Sequence, residues 1–228
     1  MAFEFRHRLV PDDDAALRSG GGHTVALAVI WVGAVIAGFA AALIHEQTPA
    51  APHDVVAQWP HQTVCAPPHD RPMLIVFIHP KCPCTRASLG EIANLHQTCG
   101  ERLDMQFVFL DRGNAPWKST DTEHWETVRE INAGPAFVDA DGMEHRRFGA
   151  TTSGEVFLYL PSGELAFHGG VTVGRGHAGE SPGRVAIEAI VTKSAAEAAT
   201  TPVYGCSLES PCCQAAGKCC QKEQAPLP

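Results

Sequence analysis

Basic residues are scarce: 17 Lys and Arg stand against 25 Asp and Glu in 228 residues, a formal net charge of −8. A protein that grips a phosphate backbone concentrates positive charge, so nucleic acid is not an expected partner. The glycine-dense segment 169–184, which begins GGVTVGRGHAGESPG, has neither the Lys-Ser/Thr of a P-loop nor a dinucleotide fingerprint. It reads as a wide loop that brings Arg175 or His177 toward a neighbouring site. Lys and Arg are also missing altogether between Arg18 and Arg71, and that gap bears on topology.

Within the gap, residues 24–44 (TVALAVIWVGAVIAGFAAALI) contain no charge and no proline. Their length suits a helix crossing a hydrocarbon layer of about 30 Å, and a core helix is seldom apolar on every face. The run exceeds the roughly 7–15 residues of a signal-peptide core, so an uncleaved anchor is expected over a cleaved leader. Arg6, Arg8 and Arg18 precede it, and the positive-inside bias places residues 1–23 in the cytoplasm. The rest of the chain then lies on the periplasmic side of an inner, cytoplasmic membrane, with a single pass. Gly33 and Gly38 lack GxxxG spacing, so no helix-pairing face is signalled. Residues 45–72, rich in Pro, His and Ala, read as a tether; His53, His61 and His69 recur there every eight residues, a pattern expected of a polar linker more than of a metal site.

One folded domain, residues 73–200, is expected next. MLIVFIH (73–79) is a short, branched, apolar run that reads as a buried central strand. After HPKCPCT, residues 85–98 place Ala87, Leu89, Ile92, Ala93 and Leu95 near helical spacing. MQFVFLD (105–111) is a second buried strand, and residues 121–131 set Trp125, Val128 and Ile131 on one helical face. This β-α-β-α order predicts parallel pairing. A short strand and turn over 135–142, a hairpin from 155–160 and 165–170 around PSGE, and a helix over 182–198 complete the pattern. From Thr201 no periodicity remains, and residues 201–228 read as a cysteine-rich disordered tail.

Strand, Cys-Pro-Cys turn, helix, strand, helix, hairpin and final helix follow the thioredoxin order. MLIVFIHPKCPCTRASLGEI resembles the redox-turn segment of membrane-anchored thioredoxin-like proteins of the RedB type. RRFGATTSGEVFLYLPSGELAFHGGVTVGRGHAGESPG and TPVYGC extend the resemblance over about residues 70–206. It implies an α/β thioredoxin-like fold with a central mixed sheet after one transmembrane helix. Two departures from thioredoxins stand out. One residue, not two, separates the cysteines, so Thr85 falls where the second would be. The loop that holds a cis-proline against the substrate reads Thr152-Ser153-Gly154 here, leaving Ser153 and Gly154 to make backbone contacts.

A thiol attacks as thiolate, and a helix N-terminus favours that form. Cys82 is expected as the N-cap, with Pro83 at the first helical position and Cys84 beside it. His79 and Lys81 are near enough in sequence to lower the thiol pKa further. The leading reading is a thiol–disulfide oxidoreductase acting on exported protein thiols or disulfides: Cys82 attacks and Cys84 resolves, with no cofactor and a redox partner that the sequence does not identify. A ring closed over one residue is tight, which predicts a relatively oxidising pair.

Nine cysteines forbid complete internal pairing. Cys65 and Cys99 are expected to form a structural disulfide. Cys206, Cys212, Cys213, Cys219 and Cys220 cluster in the tail, and thiolates in such a stretch prefer Cu(I) or Zn(II). A copper-binding chaperone using Cys82, Cys84, His177 and the tail is the alternative reading. Cys206 is also a candidate to reach back to Cys82 or Cys84 as a resolving thiol.

Overall fold

The computed structural model describes residues 14–113, 115, 117–192 and 199–209. The chain divides into two units, Met1–His45 and Glu46–Pro228. Helix α1 (Asp14–Gln47) contains a 26-residue segment, Gly22–Gln47, that is apolar enough to cross a membrane. At about 1.5 Å per residue that segment is about 39 Å long, beyond the ~30 Å of a hydrocarbon core. Leu27, Ile30, Trp31, Ile36 and Phe39 are all exposed, so no face is set aside for a protein core. The same composition also fits a signal sequence.

In the second unit the elements run β1 (Met73–Ile78), α2 (Thr85–Cys99), β2 (Asp104–Asp111), α3 (Glu123–Ile131), β3 (Ala136–Ala140), α4 (Met143–Phe148), β4 (Glu155–Tyr159), β5 (Leu165–Gly170), α5 (Pro182–Val191) and β6 (Ala199–Thr200). Their sheet order is β3-β2-β1-β4-β5-β6. β1 pairs parallel with β2 and antiparallel with β4, and β2 pairs parallel with β3. A central parallel strand with an antiparallel hairpin beside it is the thioredoxin-like α/β fold with a mixed sheet. Every residue of β1 is buried, as its unbroken apolar run requires when both faces are covered.

The two faces carry separate cores. Leu74, Val76 and Ile78 meet Leu89, Ile92 and Leu95 of α2 and Ile187 of α5. The alternate residues Met73, Ile75 and Phe77 meet Phe148, Phe157 and Tyr159 on the other face, following the period of two. This second face has one short helix, α4, and the chain before β1 completes its cover. Residues 48–72, expected as a tether, contain no helix or strand but lie along the domain. Ala50 N–H donates to Val203 O (2.8 Å), Trp59 N–H to Gly163 O (2.8 Å), and Leu165 N–H to Ala57 O (2.9 Å). The Trp59 ring packs against Phe148 and Tyr159 at 5.3 and 5.2 Å.

That division corrects the expected Cys65–Cys99 disulfide. Both are free thiols, and they belong to different cores, Cys99 with the α2 face and Cys65 with the α4 face. The sheet separates them. Burial is the first cause that raises each thiol's pKa, that of Cys65 to about 11, which suits inert core cysteines. The final helix is described over Pro182–Val191; residues 193–198 of the expected 182–198 helix lie outside the described residues. α4 and β6 were not predicted.

Candidate redox site

The site forms where β1 ends. His79 O accepts from Cys82 N–H (3.0 Å), and Cys82 O accepts from Thr85 N–H (3.2 Å), so the Cys-Pro-Cys segment is a tight turn before α2. The N-cap of α2 is Cys84, with no side-chain cap. This displaces the cap expected at Cys82: the Thr85–Cys82 bond spans three residues, so the tight turn comes first and the helix begins after it. Thr85, at the place of a second cysteine, is buried.

Cys82 is fully buried, whereas Cys84 and Cys206 are partly exposed. Cys206 arrives from the C-terminal segment 203–209, which crosses the turn as a strap. Its N–H lies 3.3 Å from Cys82 Sγ. The strap is fastened to the loop before β4: Ser153 N–H donates to Cys206 O (2.8 Å), Leu208 N–H donates to Thr151 O (2.8 Å), and Thr152 and Ser207 form a β-bridge. Arg112 holds Leu208 O (2.5 Å), and Arg175 holds Gly205 O.

The Cys82 thiol is held far below the usual thiol range, at about 4. The largest cause is the hydrogen bond from the Cys206 thiol, opposed by burial; Thr85 Oγ–H and the N–H groups of Cys206 and Cys84 add to it. Hydrogen bonds to the charged form favour that form, and the Cys206 N–H stands 3.3 Å from the sulfur as one such donor. Thr85 is itself positioned by Ser153: their hydroxyls are 2.8 Å apart, and Ser153 Oγ accepts His79 N–H at 2.7 Å. The other two thiols move the opposite way. Cys206 is raised, first by its bond to Cys82 and then by burial; Cys84 is raised by burial and then by the Cys82 charge, with Arg175 opposing. One thiolate between two thiols is the resulting reduced state.

The residues expected to support the turn fall into three groups. Ser153 and Gly154 are in place: Gly154 N–H donates to Phe77 O (2.8 Å), and its φ of +85° together with Ser88 Oγ 2.7 Å from a would-be Cβ calls for glycine. His79 carries the turn through its backbone, while its ring meets Trp117 at 5.8 Å and its pKa is lowered, chiefly by burial. Lys81 is exposed, and the donors that lower Cys82 are uncharged. His177 does not serve as expected: it is half-exposed and pairs with Glu46 at 3.3 Å. Arg175, two residues earlier, reaches the thiols in its place. His124, which periodicity put in a helix and nothing singled out, is buried and donates from Nε2 to Cys82 O (2.8 Å). Cys212, Cys213, Cys219 and Cys220 lie outside the described residues.

No protein-family model matches this sequence, and no curated protein does. Among solved structures, a hypothetical protein from Sinorhizobium meliloti 1021 superposes with a TM-score of 0.54 at 17% identity, over 71% of this chain and 97% of that one. An uncharacterized conserved protein from Geobacillus kaustophilus gives 0.52 at 14% identity, over 72% and 92%. A secreted disulfide oxidoreductase of Mycobacterium tuberculosis gives 0.39 at 13% identity, over 55% and 83%. These are likenesses of fold.

Proposed function

We propose that the chain is a membrane-anchored thiol–disulfide oxidoreductase of the RedB type, with its thioredoxin-like domain on the periplasmic side and exported protein thiols or disulfides as substrates. The observation that carries the reading is the fully buried Cys82 sulfur, which has the Cys206 N–H at 3.3 Å and the thiols of Cys84 and Cys206 beside it. A low-pKa thiolate with a second thiol at hand is what thiol–disulfide exchange requires. The absence of basic residues between Arg18 and Arg71 supports the orientation.

In the reductive direction, Cys82 S⁻ attacks a substrate disulfide. One S–S bond forms between Cys82 and the substrate, one breaks, and the leaving thiolate takes a proton. A second thiol then gives up its proton and attacks the Cys82 sulfur, releasing the other substrate thiol. Cys206 is the favoured second thiol, since its N–H and S–H both address Cys82 and a Cys82–Cys84 ring spans a single residue. The strap lifts to admit the substrate and returns to resolve the mixed disulfide. Stabilising the reduced thiolate makes the pair a better oxidant, in the manner of strongly oxidising family members.

Full-length protein in detergent, equilibrated in glutathione buffers of graded potential and mapped by mass after thiol trapping, tests the reading. A reversible two-electron transition on Cys82 is expected, absent in Cys82→Ser, with Cys206 as the mapped partner. A second reading, Cu(I) delivery, is favoured by the convergence of three sulfurs, which are soft ligands. Stoichiometric copper after anaerobic purification, without a reversible thiol transition, would establish that reading in place of the first.

A further inference from the structure

We propose a second site, distinct from the thiols: a divalent-metal site of two histidines and one glutamate, His53, His168 and Glu155, open to a cavity at the sheet edge. Their donor atoms come from three places, the segment before β1, β5 and the first residue of β4, and all lie within 4.8 Å of one another. Glu155 is fully buried. Its Oε2 accepts the N–H groups of Thr151 (2.9 Å) and Thr152 (3.0 Å). Its Oε1 faces His168 Nε2 at 2.5 Å and His53 Nε2 at 2.9 Å.

The imidazole of His53 points to a cation. Its Nδ1 lies 3.3 Å from both Ala51 O and Thr151 Oγ1. The carbonyl can only accept, so the tautomer that bonds it carries the ring proton on Nδ1, and the Thr151 hydroxyl then has Thr152 Oγ1 at 3.3 Å as its acceptor. Nε2 is then an unprotonated lone pair, buried and without a hydrogen-bond partner, although a carboxylate oxygen stands 2.9 Å away. Two electron-rich atoms in contact inside the protein need positive charge between them. A ring nitrogen whose other nitrogen donates to a carbonyl is the usual arrangement of a metal-ligating histidine.

Two imidazole nitrogens and a carboxylate oxygen make a donor set for Zn²⁺ or a neighbouring first-row divalent ion, and three protein ligands leave one position open. Metal–donor distances of about 2.0–2.2 Å imply donors roughly 3.3 Å apart in a tetrahedron, so on binding His53 moves away from Glu155 by about 0.4 Å and His168 by about 0.8 Å. Space lies on that side: His53 and His168 line a cavity of about 390 Å³ with Pro49, Pro52, Thr200 and Val203. A water or a small oxygen ligand would take the fourth position from there.

Cobalt(II) is the probe, because its visible bands report ligand type and because thiols elsewhere in the chain also bind metal. Full-length protein in detergent is first carbamidomethylated under native conditions and then titrated with Co²⁺, for wild type, His53→Gln and His168→Gln. One equivalent should bind with ligand-field bands and no sulfur-to-cobalt band. Each variant should weaken that binding at least about tenfold with an unchanged near-ultraviolet circular dichroism spectrum. His53→Gln is the variant that keeps the fold most securely, since His53 retains some exposure. Wild type that binds no cobalt, or whose nitrogen/oxygen spectrum is the same in His53→Gln, overturns the site.

Discussion

At the scale of single residues, the chemistry of the turn depends on uncharged donors more than on neighbouring cations. A hydrogen bond to a charged group is worth about 1.5–3 kcal/mol, or roughly one to two pKa units. Thr85→Val removes one such donor without changing shape, so the Cys82 pKa should rise by about one unit, read as the pH midpoint of thiolate ultraviolet absorbance. Cys206→Ala removes the largest cause together with a sulfur and should raise it further. Lys81→Ala should leave it in place; a rise as large as that of Thr85→Val would return the stabilising role to charge. Cys82 and Cys84 were legible because a buried strand precedes them and a helix follows. Thr85 and Ser153 could be located by counting, but their hydroxyl contact spans 68 residues and no local pattern encodes it. Separation along the chain likewise hid His124, 42 residues from Cys82, and the meeting of His53 with Glu155 and His168.

At the scale of elements, periodicity identified those that bury an apolar face: β1, α2, β2, α3, β4 and β5 lie within a residue or two of their expected bounds. α4 is missed because MEHRRF carries one large apolar pair among four polar residues. β6 is two residues long, too short for a pattern. The strap is missed for a different reason: it is held by backbone hydrogen bonds to the loop at 151–153, and backbone pairing leaves little trace in side-chain order. One residue does record it. A Cβ on Gly205 would lie 2.0 Å from Ser153 O, so the strap can approach this closely only with glycine there. Gly205→Ala should therefore lift the strap, withdraw the Cys206 donors and uncover Cys82. Cys82 should alkylate faster in native buffer and titrate at higher pH, while the melting temperature changes little, since the two cores lie elsewhere. Unchanged alkylation would show that the strap does not gate the sulfur.

At the scale of the whole molecule, the order of elements and the apolar helix were both legible, because burial and a long uncharged apolar run each write a long-range composition into the chain. Charge on the buried thiol adds a global property that composition does not reveal, a pH dependence of stability set by redox state. The Cys82 thiol ionises near 4 in the folded protein and near 9.0 when unfolded. Below pH 4 both states hold the proton and the group contributes nothing. Between pH 4 and pH 9 only the unfolded chain holds it, so stability rises with pH by up to ~1.4 kcal/mol per unit. His79, lowered from 6.5, acts in the same sense, its contribution being lost as pH falls below that value. Above pH 9 the sign reverses through Cys65, which keeps its proton to about 11 in the fold while the unfolded thiol releases it. The reduced protein should therefore be most stable near pH 9. The stability difference between wild type and Cys82→Ser should widen steadily from pH 5 to pH 8 in denaturant titrations under reductant. Oxidation consumes the thiolate, so the same comparison on the disulfide form should lose this slope. A difference flat with pH under reductant would mean that Cys82 is protonated in the folded chain, and would remove the thiolate from which the proposed exchange begins.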